Sequence, residues 1–174
     1  MRAWLTDRAS LTAKLVANSS RFRVQPVLNV SALCTADEWR AIGLAHRARA
    51  RVREVVLRCD EEPVVFAHTV VPLTADASDW PCFRALGARS LGTVLFGDPL
   101  VARGALSYAR LHAGHPLVRR ACEVLGLAQL PVPLYARRCL FRRRQGVLLV
   151  TEIFLPAVLQ LPAPDEHSMN DNDR

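Results

Sequence analysis

The sequence predicts an α+β fold built on a single antiparallel β-sheet of about six strands, with helices packed on one side. Three observations carry this. Six segments rich in Val, Leu and Phe show period-two alternation or short apolar runs. Most of them are joined by connections too short to hold a helix, which sets neighbouring strands antiparallel. The chain has 174 residues, 51% hydrophobic and 22% charged, the size and balance of one globular domain. A chain of that length buries about 70% of its extended surface on folding, enough for a core and an enclosed pocket.

Taken in order, Ser10 before LTAKLVAN marks a helix start with Ser10 as N-cap. Arg21 to Leu33 alternates and is valine-rich, a strand with a kink expected at Pro26. Thr35 and Glu38 stand at capping-box spacing and open a short helix. Arg49 to Cys59 and Pro63 to Val71 are strands flanking the short connection Asp60-Glu61-Glu62. Trp80 to Leu95 reads as helical segments broken at Gly87 and Gly92. Leu100 to Leu111 alternates as a strand, with a helix as the other reading. Leu117 to Leu127 has helical spacing and ends near Gly126. Pro133 to Arg144 and Val147 to Leu155 close the fold as a hairpin turning at Gln145-Gly146. No internal repeat or linker divides the chain, so residues 1–162 are expected to form one domain. Residues 163–174 (APDEHSMNDNDR) are polar and aperiodic and are expected to be a flexible tail.

The formal charge is +7, and Lys14 is the only lysine. Such a balance suits an anionic partner. The arginines are scattered, apart from Arg49, Arg51 and Arg53 and the run Arg137, Arg138 and Arg142 to Arg144. Neither cluster has interleaved aromatics or a helix-turn-helix pattern, so a small anion is expected rather than nucleic acid. Cys34, Cys59, Cys82, Cys122 and Cys139 lie far apart, with no metal spacing. They read as reduced, mostly buried thiols of a cytoplasmic protein. The longest apolar stretch, Val147 to Pro162, carries Glu152 and Pro156, which argues against a membrane span. Nothing at Met1 resembles an export peptide. Nucleotide-binding glycine loops, G-x-S-x-G and H-E-x-x-H are missing from the sequence, and the five histidines stand singly.

Two charges stand out inside apolar strands. Glu152 in VLLVTEIFLP shares a face with Leu148, Val150 and Phe154. Arg53 in RVREVVL shares a face with Val55 and Leu57. A carboxylate so placed needs a cation or a raised pKa, and a guanidinium there can grip a carboxylate by two prongs. The residues alone leave three arrangements open: a buried Arg53–Glu152 bridge, charges on a sheet edge in water, or a ligand between them.

The blocks VREVVLRCDEEPVVFAHTVVP, SLGTVLFGDP, YARRCLFRR and LLVTEIFLP, in this order and spacing, resemble the bacterial chorismate pyruvate-lyase family, as does the opening DRASLTAKL. The resemblance runs from about Trp4 to Leu161. It implies a single antiparallel sheet whose ligand is buried under two flaps, and a cofactor- and metal-independent lyase that splits chorismate into 4-hydroxybenzoate and pyruvate, early in ubiquinone synthesis. It further implies that Arg53 holds the ring carboxylate together with the backbone amides of Leu11 and Leu91. Glu152 then faces the oxygen across the ring, so that Arg53 and Glu152 are the catalytic pair. Leu11 stands where the family commonly has methionine. His68, where some relatives have arginine, is the remaining expected ligand contact. A monomer is expected. The alternative is a non-enzymatic sensor of small aromatic ligands, because a ligand-binding domain of bacterial transcription regulators resembles the same fold. Those regulators carry a winged helix-turn-helix ahead of it, for which the opening ten or so residues leave no room.

Overall fold

A computed structural model of the chain describes residues 1–75, 78–81 and 83–162. Six strands form one sheet: β1 (Phe22–Leu33), β2 (Arg49–Cys59), β3 (Glu62–Pro72), β4 (Val101–Leu111), β5 (Leu134–Arg143) and β6 (Gly146–Phe154). Their spatial order is β1-β2-β3-β6-β5-β4 and every pairing is antiparallel. β1 and β4 are the edges. β1 bends where the register shifts between Pro26 and Leu28, the position at which proline withholds a ladder donor.

The β2–β3 hairpin turns on Asp60 and Glu61, both at positive φ (50° and 69°). That is the mirror-image turn whose twist matches paired strands. Asp60 offsets the strain by accepting hydrogen bonds from the backbone N–H groups of Ser20 and Arg21. The β5–β6 hairpin turns at Arg144-Gln145, one residue earlier than expected, with Arg144 at φ 52° and Arg143 paired to Gly146. The earlier turn shifts the expected cross-strand partners by two residues, with consequences for the site.

Among the described residues, five short α-helices precede β1 or fill the longer connections: α1 (Arg2–Thr6), α2 (Leu11–Ala17), α3 (Ala36–Ala41), α4 (Leu91–Gly97) and α5 (Pro116–Leu125). A 3-10 turn, Pro156–Gln160, follows β6. The caps are those the sequence signals. The Ser10 hydroxyl accepts from Ala13 N–H, the Glu38 carboxylate from Thr35 N–H, and Gly126 ends α5 at φ 66°. α1 has only one turn and a half, too short to print a period on the sequence; its Trp4 is buried against the sheet.

The helices are not confined to one side. Trp4, Leu11 and Leu15 of α1 and α2 pack with Val55, Leu57 and Ala67, and Leu91 and Leu95 of α4 pack with Cys139 and Phe141. Ile42 and half-buried Trp39, in and just beyond α3, pack with Val52 and Val70, and Leu117, Val118 and Ala121 of α5 with Val56 and Phe66. Successive strand residues point to opposite faces, so α1, α2 and α4 cover one face and α3 and α5 the other. Both faces of the central strands are therefore apolar, and period-two alternation cannot assign a helix to either.

The segment from Trp80 is helical only over α4. Residues before it form turns pinned by buried Trp80, Phe83 and Leu86. Gly87, at φ 50°, breaks the chain as expected, whereas Gly92 lies inside α4. Cys82 and the expected tail fall outside the described residues. Cys34, Cys59, Cys122 and Cys139 are free thiols, all but Cys122 fully buried, and burial pushes the Cys34 and Cys59 thiols up. Among the described residues no helix is long and apolar enough to cross a membrane.

Candidate active site

A cleft lies between the α2/α4 face of the sheet and those two helices. Val55, Leu57, Ala67, Thr69, Val150 and Phe141 form its floor, and Leu11, Leu91, Leu95 and Phe96 its roof. It comprises about 620 Å³ of empty volume, part of it open to solvent. Its composition is that of a small-molecule site: apolar walls with a few polar groups.

The two roof helices meet at one point. Thr12 Oγ1 and Ser90 Oγ are 2.6 Å apart and hydrogen-bonded. A Cβ on Gly92 would stand 2.7 Å from Thr12 Oγ1, so any larger residue there pushes the helices apart or turns Thr12 out of its bond to Ser90. Leu11 and Leu91 are the first residues of α2 and α4, and both are buried at the cleft. A first-turn N–H has no carbonyl partner within its own helix, so each helix start offers main-chain donors here.

Arg53 on β2 is 4% exposed. Its Nη2 donates to the carbonyls of Gly87 (3.0 Å) and Arg89 (3.1 Å), in the turn leading into α4. Among the described residues no carboxylate lies within ion-pair distance of it. Burial alone pulls the guanidinium below its usual pKa. A buried cation without a counter-charge is costly, and arginine does not shed its proton to escape that cost. The site is therefore matched to an anion.

The Arg53–Glu152 bridge, one of the three arrangements the sequence leaves open, does not form. Glu152 on β6 pairs with Arg137 on β5, Nε to Oε2 at 2.5 Å. Arg137 is 3% exposed, donates also to the carbonyl of Asp7 (2.9 Å), and lies over the Phe154 ring. It thereby links Glu152 to the segment leading into α2. Sequence reasoning saw Arg137 only as part of a basic run. Its signal is register: Arg137 stands directly across from Glu152, and the misplaced turn sets Cys139 there instead. Arg138 and Arg143 of the same run pair with Asp37 and Asp98. Three of the five arginines in this run are thus consumed in ion pairs.

Four of the five expected site residues, Leu11, Arg53, Leu91 and Glu152, line the cleft. His68 does not. Its β3 position alternates to the other face, where Nδ1 lies 3.2 Å from Glu54 Oε1 and Nε2 makes a 3.0 Å ion contact with Glu38 Oε1. Arg120 of α5 completes the cluster through Glu54 at 2.8 Å. Burial opposes a charge on His68, but the two carboxylates prevail and raise its pKa to about 9. His68 is thus an imidazolium that ties α3 to the sheet. Among the described residues no group of three His, Cys, Asp or Glu side chains is set to hold a metal ion.

Comparison with known proteins adds two findings. In fold, the chain is similar to the C-terminal domain of the histidine utilization repressor from Pseudomonas syringae pv. tomato, with TM-score 0.57, 13% identity, and 83% of this chain and 99% of that one covered. It is likewise similar to the C-terminal domain of PhnF, with TM-score 0.55, 15% identity, and 86% and 92% covered. At such identities the likeness is one of fold alone. In sequence, it is 49% identical over 167 residues to a protein of Ralstonia nicotianae named "Probable chorismate pyruvate-lyase", covering 92% of this chain and 84% of that protein. It is 48% identical over 164 residues to one of the same name from Cupriavidus pinatubonensis, covering 94% and 84%. The family model described as Chorismate lyase matches residues 1–161, and with it every residue of the cleft: the chain belongs to the chorismate lyase family.

Proposed function

We propose that the chain cleaves chorismate to 4-hydroxybenzoate and pyruvate in this cleft, without cofactor or metal. The observation that carries the reading is the buried Arg53 guanidinium, which faces an apolar cleft with no carboxylate among the described residues within ion-pair distance. Arg53 takes the ring carboxylate, and the amides of Leu11 and Leu91 donate to the same group. Glu152 faces the ring hydroxyl from the other end.

The chemistry suits so sparse a site. Breaking the ether C–O bond and removing the proton from the hydroxyl-bearing ring carbon makes the ring aromatic, and the enolpyruvyl arm, gaining a proton on carbon, leaves as pyruvate. Reactants and products balance with no water or oxidant. The protein has to hold one conformer, exclude water and steady the moving charge. Positioning alone supplies about 7–11 kcal/mol in favourable systems, and preorganised donors add to it. The Arg137–Glu152 pair sets the carboxylate rigidly at the ring hydroxyl. In this reading the product serves ubiquinone synthesis in the cytoplasm, and the protein acts as a monomer.

Glu152→Gln tests the assignment, since it keeps shape and removes charge. Acid–base groups contribute about 10²–10⁴-fold, so kcat should fall by about two orders of magnitude with little change in KM. Wild-type turnover in Glu152→Gln would remove Glu152 from the mechanism. A chain that bound 4-hydroxybenzoate tightly yet left chorismate intact would be a sensor of this fold.

A further inference from the structure

Among the described residues, three arginines and one carboxylate line the cleft: Arg53, Arg103, Arg137 and Glu152. Glu152 neutralises Arg137, which leaves two positive charges. One is Arg53. The other is Arg103 on the edge strand β4. Its Nε is buried and has no hydrogen-bond partner, its Nη1 donates to the carbonyl of Arg8, and its guanidinium lies 5.1 Å from the Phe96 ring centroid. Among the described residues no carboxylate lies within ion-pair distance of it. A buried, vacant guanidinium N–H at a ligand cleft is a donor set for an acceptor that the protein does not supply.

We propose that Arg103 anchors the second carboxylate of a dianionic substrate, the one carried on the enolpyruvyl arm. This deepens the chorismate reading and rests on it. The charges match: two uncompensated arginines face a substrate with two carboxylates, and each product keeps one. Arg103 also touches both walls of the roof, Arg8 ahead of α2 and Phe96 in α4, so an arm carboxylate bound there sits at the seam between the flaps. Once the C–O bond breaks, that carboxylate departs with pyruvate, and of the two arginines only Arg53 still holds 4-hydroxybenzoate. Arg103 therefore separates substrate from product, whereas Arg53 serves both.

The test compares chorismate turnover with 4-hydroxybenzoate affinity in wild type, R103Q and R103K. A charged hydrogen bond lost from a buried carboxylate lowers kcat/KM for chorismate by about tenfold or more in R103Q, chiefly through KM. The 4-hydroxybenzoate Kd stays within about twofold of wild type, and R103K recovers part of the loss. Equal weakening of both ligands would make Arg103 a clasp between the flaps and overturn the proposal, as would wild-type kinetics in R103Q. A second probe needs only the wild-type chain: 3-carboxymethoxy-4-hydroxybenzoate should bind about tenfold tighter than the neutral-armed 3-methoxy compound. Equal binding of the two would also overturn it. If wild-type protein released no pyruvate from chorismate, the underlying reading would fail instead, while the preference for the charged arm would still report on Arg103.

Discussion

Gly92→Ala should loosen the product without unfolding the protein. The new Cβ would stand 2.7 Å from Thr12 Oγ1 and 3.5 Å from Ser90 Oγ, against ordinary contacts beyond 3.4 Å. Either α2 and α4 separate, or Thr12 rotates and surrenders its 2.6 Å bond to Ser90. The lost bond is worth about 0.5–1.5 kcal/mol net, and overpacking of this kind costs about 1–3 kcal/mol. Both penalties apply only with the flaps closed. In the open state the same substitution favours α4 by about 0.5–1 kcal/mol, because alanine orders more cheaply than glycine. The closed state should therefore lose about 1–3 kcal/mol against the open one, which is roughly a 5- to 150-fold weakening of 4-hydroxybenzoate. Tm should move by only a few degrees. Titration calorimetry gives Kd, and stopped-flow displacement gives the release rate, which should rise; where release limits turnover, kcat rises with it. Thr12→Ala makes room, so in that background Gly92→Ala should have little further effect. Unchanged product affinity and release in Gly92→Ala would refute the argument that closing these two helices holds the ligand.

Arg53→Met should weaken 4-hydroxybenzoate by about 3 kcal/mol or more, because it removes the charge facing the ring carboxylate and two bonds to the α4 turn; a change of less than tenfold in a binding titration would remove Arg53 as the anchor. His68 fixes the alkaline side of the stability profile. Its pKa is raised from 6.5 to about 9 in the fold, so its contribution is complete below about pH 6.5 and is lost as pH climbs toward 9. A rise of that size corresponds to on the order of 3 kcal/mol. Glu38 and Glu54 lie below the usual carboxylate range: burial pushes them up, but His68 and, for Glu54, Arg120 more than reverse it. Their contribution is lost as pH falls below about 4.5. Thermal scans from pH 5 to 9 should therefore show Tm falling above neutrality in wild type and a flatter profile in His68→Gln; identical profiles would dismiss the cluster as a stabilising element.

The number and type of the strands were legible because valine-rich alternation and short turns are local signals. β2, β3, β5 and β6 stand within a residue or two of their expected bounds. The faces were less legible. Phe66 and Ala67 are both buried, on opposite sides, so apolar content along β3 says nothing about which helix covers which face. The turns before α4 escaped because buried Trp80, Phe83 and Leu86 hold them from a distance, where local propensity has no say. Arg53 and Glu152 were visible as charges in apolar strands. The ion pair was not, since placing the β5–β6 turn one residue late moves Arg137 away from Glu152. His68 was misassigned for a related reason: a resemblance gives a position in the chain, while the pleat and the carboxylates of Glu38 and Glu54 decide the side to which it turns.

The most direct test is to give the purified chain chorismate in buffer containing a chelator and to quantify 4-hydroxybenzoate and pyruvate together. The account predicts that both appear at equal rates, one for one, and that neither appears with Arg53→Met at the same enzyme concentration. Chorismate left intact, or pyruvate released without its aromatic partner, would contradict it.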